Sequence, residues 1–239
     1  MEPEYAREYR ELYTRHWWWR AREDAVVRVL RRHIPPNVRL HILDVGCGDG
    51  LFFDSLAEFG DVEGVEPDAG LVNPQGAHRE RIRIAPFDTK FRLPKPYSLV
   101  LMLDVLEHLD DPAEALRHAY SLLAPKGALL LTAPAFPILW TNHDDINQHR
   151  VRFRRSTLRP LLEQAGFAVV EEQYWCQWTF PAKLAVRVFE NIFRRPPAIP
   201  RVPPAWINRP LYWLTRAEQR TLGAIGMPFG STLMAYCTK

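Results

Sequence analysis

The feature that most constrains the fold of this chain is an apolar segment that runs directly into a glycine-rich loop. Residues 42–45 are Ile-Leu-Asp-Val, residues 46–50 are Gly-Cys-Gly-Asp-Gly, and a helical segment is predicted at 51–59. Glycine lacks a Cβ atom, so a ligand can lie directly against the backbone of such a loop. The unpaired N–H groups at the start of the following helix can bind an anionic group. The sequence therefore predicts a strand–loop–helix unit that binds a cofactor.

The spacing of the glycines, and the acids around them, indicate which cofactor fits. A dinucleotide site has the pattern G-x-G-x-x-G and binds a pyrophosphate at the helix N-terminus. This chain instead has G-x-G-x-G, with Asp44 before the loop and Asp49 within it. Two carboxylates repel a pyrophosphate but attract a ligand that carries ammonium and sulfonium charges. The pattern favours S-adenosylmethionine over NAD or an ordinary glycine turn. Its ammonium can pair with Asp44, and its carboxylate can accept hydrogen bonds from the loop N–H groups.

Two acids further along the chain fit the same ligand. Residues 62–66 read as a second strand ending in Glu66, about 20 residues past the first glycine, where an acid accepts ribose hydroxyls in nucleotide-binding units. Apolar residues alternate over 81–87, which predicts a third strand. Asp88 follows this strand, where its carboxylate could accept a hydrogen bond from an adenine amino group. An Asp that opens a loop is also common without any ligand.

With these motifs in place, the chain resembles the class I S-adenosylmethionine-dependent methyltransferases. The resemblance covers roughly residues 38–172 and depends on Glu66 and on the segments 43–50, 103–109 and 122–128, which recur in this order in the family. It implies a seven-stranded, mostly parallel sheet, S-adenosylhomocysteine as the product, and an N-terminal helix that closes over the methyl donor. The residues expected to hold the cofactor are Asp44, Gly46, Cys47, Gly48, Gly50, Glu66, Pro67, Asp88, Leu103, Asp104, Val105 and His108.

The alternation of strand and helix patterns predicts an α/β fold, a Rossmann-like sheet with helices on both faces. N-terminal helices are expected at 4–33, and a helical insert precedes the last strand. The strands are predicted at about 39–45, 62–66, 81–86, 97–103, 128–133, 167–172 and 231–238, with the last one antiparallel beside the sixth. Asp111 is predicted to cap one helix, and Ser156 is predicted to cap another that ends at Gly166.

A single domain over 1–239 is expected, because 239 residues with 47% hydrophobic content can form one large core. Within it, the predicted parts are an N-terminal helical lid at 1–36, a cofactor-binding core at 37–175, a helical cap insert at 176–230 and the last strand at 231–239.

The insert has two interpretations. Its first helix, 180–195, places apolar residues on one side (Leu184, Ala185, Val188, Phe189, Ile192 and Phe193) and basic residues on the other (Lys183, Arg187, Arg194 and Arg195). A proline-rich stretch and a second apolar helix at 205–222 follow. Amphipathic helices usually cover a core. The alternative is that residues 180–222 touch a membrane surface or admit a lipid-linked acceptor.

Two groups of residues are candidates for catalysis. Methyl transfer to oxygen or nitrogen requires alignment of the acceptor and a base that removes its proton. Residues 104–108 follow the fourth strand, and residues 140–150 follow the fifth, where open α/β sheets hold their ligands. The hypothesis is that His143 or His149 is the base, with His108 as a further candidate from the family resemblance. Arg150 and Arg152 are expected to hold an anionic part of the acceptor, although His149 can instead cap a turn and the arginines can be solvated.

Tryptophans are expected to contribute to the acceptor site. Trp140 lies in the second catalytic segment, and Trp17, Trp18 and Trp19 are consecutive in a predicted helix. Adjacent helical residues point about 100° apart, so three indoles cannot all face one core. At least one is expected to cover the cofactor pocket or the insert, and Trp18 is taken as the acceptor-binding one.

The remaining expectations concern metal, partners and location. The loop contains residues of metal-ligating types: His143, Asp144, Asp145 and His149. A hard divalent ion prefers mainly oxygen ligands, so no metal is expected. A net charge of +3 is too small to indicate nucleic acid. Three separated cysteines, a polar N-terminus and no long apolar run favour a cytoplasmic location.

The expected function is O-methylation of a small-molecule, sugar or lipid-linked acceptor. The alternative is a non-catalytic S-adenosylmethionine-binding module, and no oligomeric state is indicated.

Overall fold

The computed structural model describes residues 3–91, 95–193 and 200–239. The strands are β1 (Leu40–Val45), β2 (Gly60–Glu66), β3 (Ile82–Ile84), β4 (Tyr97–Leu103), β5 (Leu123–Pro134), β6 (Ala168–Trp175) and β7 (Thr232–Thr238). The helices are α1 (Pro3–Arg15), α2 (Trp17–His33), α3 (Phe53–Leu56), α4 (Pro112–Leu122), α5 (Asn142–Ile146), α6 (Arg155–Gln164), α7 (Thr179–Phe193) and α8 (Ala205–Ile225).

The seven strands form one sheet in the order β3-β2-β1-β4-β5-β7-β6. Five strands are parallel to their neighbours, and β7 lies antiparallel between β5 and β6. This arrangement confirms the predicted fold class, including the antiparallel last strand. The strand order reverses between β1 and β4, and such a switch point opens a crevice at the carboxyl ends of the strands.

The core lies on both faces of the sheet because side chains of a strand alternate between its faces. In β4, Val100 and Met102 face a cluster that contains residues of α4 and α6. Leu99 and Leu101 face the opposite cluster, which contains residues of α2 and α3. A strand covered on both faces reads as a continuous apolar run, as β4 does from Leu99 to Leu103.

The N-terminal helical region differs from the prediction of one helix over 4–33. The helix is interrupted at His16, which has an extended backbone and accepts the N–H of Trp18 on its Nδ1 atom at 3.2 Å. Burial lowers the pKa of His16 to about 4, so the ring is neutral at pH 7 and can accept this hydrogen bond. The helix predicted at 51–59 is likewise shorter, with one turn at Phe53–Leu56.

Helix caps were predicted with mixed success. Asp111 caps α4, because its carboxylate accepts the N–H of Glu114 at 2.8 Å. The prediction that Ser156 caps the next helix is wrong. Helix α6 begins at Arg155, and the N–H of Arg154 donates to the hydroxyl of Thr157 at 2.9 Å.

The two insert helices pack differently. Helix α8 lies along α2, where Tyr212 donates to Asp24 at 2.6 Å. Helix α7 packs on a turn at Pro137–Leu139, and its apolar outer side is open: Val188, Phe189, Ile192 and Phe193 are 56%, 41%, 67% and 61% exposed. The core-cover interpretation therefore suits α8 but not the outer side of α7.

Residues 194–199, including the predicted basic Arg194 and Arg195, lie outside the described residues. In the part of the chain that the structure describes, no helix combines the length and the apolar character needed to cross a membrane.

Candidate functional site

A cavity of about 400 Å³ opens at the carboxyl edge of the sheet, beside the β1–β4 switch point. Its walls come from the segments after β1, β2, β4 and β5, from the N-terminal helices and from α7. The residues predicted from sequence that line it are Gly46, Gly48, Glu66, Pro67, Leu103, Asp104, Val105, His108, His143, His149, Arg150, Arg152 and Trp18.

The glycine loop forms one wall with its backbone. Gly46 has φ +68°, and a Cβ atom there would lie 2.9 Å from a Val105 methyl group. The N–H of Gly48 donates to one oxygen of Glu66 at 2.9 Å, and the N–H of Asp68 donates to the other at 3.0 Å. Each carboxylate oxygen retains a second lone pair, so Glu66 can also accept ribose hydroxyls.

Asp44 lies behind this loop and does not line the cavity, being 5% exposed. Burial raises the pKa of Asp44 to about 7, although the nearby Arg22 guanidinium acts to lower it. Arg22 reaches the cavity from α2, forms an ion pair with Asp104 and lies 5.3 Å from the centre of the Trp18 ring. This end of the cavity therefore combines a cation with two carboxyl groups, the charges that an amino acid moiety requires.

The three consecutive tryptophans divide between two surroundings: Trp18 and Trp19 line the cavity, and Trp17 faces the insert. Trp18 lines the cavity, and Trp19, 7% exposed, packs edge-on against it with ring centres 5.1 Å apart. Trp17 packs on Trp178 of the insert, with ring centres 5.3 Å apart. Tyr9 of α1 also lines the cavity, so both N-terminal helices cover the glycine loop.

A buried network positions His149. Arg152 donates to both carboxylate oxygens of Asp144, at 2.8 and 2.9 Å, and to the carbonyl of Ala135 at 2.9 Å. The Nδ1 atom of His149 lies 2.8 Å from Asp144. Although burial acts to raise it, the hydrogen bonds from His149 and Arg152 hold the pKa of Asp144 well below its ordinary value. Because Asp144 is an ionised acceptor, the Nδ1–H of His149 donates to it, and Nε2 is the nitrogen that accepts a proton in the neutral form of the ring.

This network corrects the role expected for the two arginines. Arg152 is 3% exposed, and its guanidinium is used by Asp144 and Ala135, so it is not available to an acceptor. Arg150 lies at the rim, where it pairs with Asp110 and donates to the carbonyl of His108 at 3.1 Å.

The other two histidines of the cavity are neutral at pH 7. Burial lowers the pKa of His143 to about 3, and the nearby Lys183 acts in the same direction. Burial, followed by the charge of His149, lowers the pKa of His108 to about 4. Neither ring is held by a carboxylate through a hydrogen bond in the described part of the chain, unlike His149.

Several predicted site residues are not brought to the cavity. Asp88 is exposed and accepts the N–H of Lys90 at 2.8 Å, because β3 ends at Ile84 and the chain turns away; Phe87 lines the cavity instead. The indole N–H of Trp140 donates to Asp145 at 2.9 Å, outside the cavity wall. Cys47 and Gly50 belong to the loop but do not line the cavity, and the Cys47 side chain fills the space beside Gly64 instead.

One group of metal-ligand types lies at the cavity wall. Ligand atoms of Glu107, His108 and His149 lie within 4.8 Å of one another. Glu107 is fully buried, neither of its carboxylate oxygens has a hydrogen-bond partner among the described residues, and burial raises its pKa well above the ordinary value. The loop set considered from sequence does not converge, because Asp144 binds Arg152 and Asp145 binds Trp140. A cation could be held at Glu107, where the sequence gave no expectation of one.

Four other cavity residues were not predicted from sequence to line it: Tyr9, Trp19, Arg22 and Lys183. Three of them come from the N-terminal helices and one from the insert, far along the chain from the glycine loop. The sequence offered one indication of such residues, a predicted helix face that combines a charged residue with aromatic residues.

Comparisons with known proteins agree with this geometry. Residues 8–172 match a family model described as a methyltransferase domain. The ubiquinone biosynthesis O-methyltransferase of Caulobacter sp. (strain K31) is 32% identical over 120 residues, which are 46% of this chain and 48% of that protein. The chain therefore spans about half the length of the curated relatives it matches.

Solved structures show the same fold at low identity. A SAM dependent methyltransferase from Archaeoglobus fulgidus superposes with a TM-score of 0.55 and 19% identity, covering 91% of this chain and 94% of that one. Phosphoethanolamine N-methyltransferase 2 of Haemonchus contortus, solved in complex with S-adenosyl-L-methionine, superposes with a TM-score of 0.57 and 18% identity, covering 89% of this chain and 51% of that one.

Proposed function

Since this chain belongs to the S-adenosylmethionine-dependent methyltransferases, we propose that it transfers a methyl group to an oxygen atom of a small acceptor. S-adenosylmethionine is the cofactor of the family, and when bound it supplies an electrophilic methyl group on a sulfonium. The observation that carries the choice of oxygen is the Asp144–His149 pair, because an acceptor hydroxyl needs a base within hydrogen-bond reach. The curated relative named as an O-methyltransferase supports the same choice.

The residues of this chain fit the cofactor part by part. The loop at Gly46 and Gly48 offers bare backbone, and Glu66 offers carboxylate oxygens for ribose hydroxyls. Arg22 and Asp104 provide a cation and an anion for the carboxylate and ammonium of the amino acid moiety. The site thus selects a zwitterionic sulfur nucleoside over a pyrophosphate.

His149 would move the proton in the proposed reaction. Its Nε2 atom accepts the proton of the acceptor hydroxyl, while Asp144 stabilises the resulting imidazolium through Nδ1–H. Arg152 keeps Asp144 ionised and fixed. Trp18 and Tyr9 cover the cavity and exclude water, so the acceptor is held in line with the methyl group.

The insert supports a second part of the proposal, a cytoplasmic enzyme that contacts a membrane surface peripherally. Residues 176–230 contain eight basic and two acidic residues, a charge of +6, in a chain whose net charge is +3. The outer side of α7 is apolar and exposed, as are Trp206 and Trp213 of α8. Apolar and aromatic side chains with surrounding basic residues are typical of interfacial helices. An acceptor that resides in or near a lipid surface fits this arrangement.

Ligand-induced stabilisation tests the proposal. A ligand that binds only the folded state must raise the thermal unfolding temperature. We expect S-adenosylmethionine and S-adenosylhomocysteine to raise it and NAD to leave it unchanged. Transfer of a labelled methyl group from S-adenosylmethionine into a metabolite and lipid extract then identifies the acceptor. Stabilisation by NAD alone would reject the proposal, and binding without any labelled product would indicate a non-catalytic module.

A further inference from the structure

We propose that Lys183 binds the acceptor, and that the acceptor carries a carboxylate group in addition to the hydroxyl that is methylated. This inference rests on the proposed methyl transfer and assigns the acceptor class to that same cavity. Lys183 lies on α7, within the insert, and lines the cavity together with His143 and His149.

The position of Lys183 follows from how α7 docks. One turn further along the same helix face, Arg187 donates to the backbone carbonyls of Ile138 and Pro137. This anchors the inner face of α7 to the turn that follows β5. The outer face, including Val188 and Ile192, is exposed. The inner face therefore carries one anchoring cation, Arg187, and one cation directed at the cavity, Lys183.

Lys183 differs from the other cations of the cavity in having no counter-ion. Arg22 pairs with Asp104, Arg150 with Asp110 and Arg152 with Asp144. Within residues 3–91, 95–193 and 200–239, the ammonium of Lys183 has neither a hydrogen bond nor an ion pair. A charged group shielded from water without a partner is unfavourable, so an anion that reaches it gains a strong, specific contact.

The charges around Lys183 are consistent with a site that binds an anion. Burial lowers the pKa of Lys183 to about 8, and the charge of Arg152 lowers it further. Asp144 acts to raise it, but that carboxylate is already bound by Arg152 and His149. The ammonium is still the main form at pH 7, and it carries the positive charge at this end of the cavity.

A carboxylate suits this position better than the reacting oxygen or a phosphate. A hydrogen bond from the ammonium to the reacting oxygen would withdraw electron density from that oxygen and lower its nucleophilicity. A phosphate carries more charge than one ammonium balances, and Glu66, Asp104 and Glu107 also line the cavity. An acceptor with a single carboxylate, placed apart from the hydroxyl that is methylated, therefore fits the cavity beside Lys183. Lys183 is half-buried, and a half-buried cation without a counter-ion also discriminates against a neutral analogue.

A matched pair of acceptor probes tests this inference: 3,4-dihydroxybenzoate and 3,4-dihydroxybenzamide, which share the ring and both hydroxyls and differ in charge. Transfer from labelled S-adenosylmethionine is measured for each. We expect the wild-type kcat/KM to be at least tenfold higher for the acid, and Lys183→Met to remove this preference mainly through the KM for the acid. Lys183→Arg is expected to retain most of it.

Arg209→Met is the control, because Arg209 is an exposed cation of the insert that does not line the cavity, and it should keep the preference. A wild-type protein without preference for the acid, including one that turns over neither probe, would overturn the inference. So would Lys183→Met that retains the preference. Calorimetry with S-adenosylhomocysteine separates the two proposals: binding without the preference rejects the role of Lys183 alone, and absence of binding rejects the proposed function.

Discussion

Individual ionisable residues define the cavity by whether their charges already have partners. Asp144 is bound by Arg152 and His149, so its charge is fixed inside the protein. Among the described residues, Glu107 has no hydrogen-bond partner, although His149 Nε2 lies 4.0 Å from its carboxylate, and Lys183 has neither a hydrogen bond nor an ion pair. Buried polar groups are normally paired, and exceptions point to strain, a ligand or an ion. The Asp144 network holds His149 in place, whereas the Arg22–Asp104 pair and the unpaired Lys183 face what the site binds.

His149 gives the first prediction at this scale. Replacing His149 with Ala removes the proposed base, and general base catalysis typically contributes about 10²- to 10⁴-fold to a rate. We therefore expect kcat to fall by about 10²-fold or more while affinity for S-adenosylhomocysteine stays within about twofold. The matched control is His143→Ala, which removes a neutral ring that no carboxylate orients. Equal losses in both variants, or full activity in His149→Ala, would contradict the role of His149.

Asp44 predicts how cofactor affinity depends on pH. With a pKa of about 7 in the free protein, Asp44 is largely protonated at pH 6 and largely ionised at pH 7.5. Asp44 lies behind the loop, so its ionised form attracts the ammonium through its charge rather than by contact, and affinity for S-adenosylhomocysteine should increase by up to about eightfold over this range. Asp44→Asn should bind more weakly and lack this dependence when measured by calorimetry. An Asn variant with the same slope as the wild type would show that another group titrates.

Glu107 predicts a pH-dependent stability. Its folded pKa is raised by burial, so the folded state holds a proton that the unfolded chain releases above about pH 4.3. Stability from this group is therefore complete at low pH and is lost as pH rises toward the folded pKa, by about 1.4 kcal/mol per unit. Glu107→Gln should lack this loss and have the larger free energy of unfolding at pH 7.

Denaturant unfolding at pH 5 and pH 7 measures the difference between the two proteins. Parallel pH profiles would contradict the burial argument. Added divalent cation that raises the unfolding temperature of the wild type but not of Glu107→Gln would instead show that a cation is the partner of this carboxylate.

At the scale of elements, the sequence was informative wherever local chemistry decides structure. Apolar alternation identified the strands, and the Asp111 cap was visible because its carboxylate acts within one turn. The break at His16 was not visible, because part of its support comes from Asn208, far along the chain. The Ser156 error arises because the helix begins earlier than predicted: Arg154 is the N-cap, and the hydroxyl of Thr157 accepts its backbone N–H.

Asn208 provides the prediction at this scale. Its amide accepts the N–H of Trp17 at 2.9 Å and donates to the carbonyl of Arg15 at 2.7 Å, so α8 holds the junction of α1 and α2. Asn208→Ala leaves both backbone groups without this partner, at a cost of about 1–3 kcal/mol. Amides of α1 and of the first turn of α2 should exchange faster with deuterium, and affinity for S-adenosylhomocysteine should weaken.

The neighbouring Arg209 is exposed, and Arg209→Ala serves as the control. Unchanged exchange in Asn208→Ala, or equal changes in both variants, would show that the insert does not hold the N-terminal helices in place.

At the scale of the whole molecule, the candidate site was only partly predictable. The glycine loop, Glu66 and the 104–108 segment were found because they lie at strand ends, whose positions in the fold are known once the strands are identified. Arg22 and Lys183 were not found, because each reaches the cavity from a helix that packs there through tertiary contacts. The role expected for Arg152 failed for the same reason, since its partner Asp144 depends on how the loop folds.

Charge is also distributed unevenly over the whole molecule. The insert at 176–230 carries +6, so the rest of the chain carries −3. On α8, Trp206, Arg209, Trp213 and Arg220 share one helix face and are exposed. Each basic residue near an anionic bilayer contributes about 1 kcal/mol, and the effect falls with salt. The molecule therefore has one face that an anionic membrane attracts and a remainder that it repels.

This distribution predicts binding to anionic vesicles through the insert. Flotation with phosphatidylglycerol vesicles at low salt should recover the protein, whereas neutral phosphatidylcholine vesicles or about 0.5 M salt should recover much less. Val188→Asp combined with Ile192→Asp adds charge to the exposed outer side of α7 and should reduce binding severalfold. Val170→Asp is the matched control, because Val170 is similarly exposed, at 53%, but lies on β6 of the core. Absence of binding even at low salt, or equal loss in the control, would mean that the apolar side of α7 faces a partner other than a lipid surface.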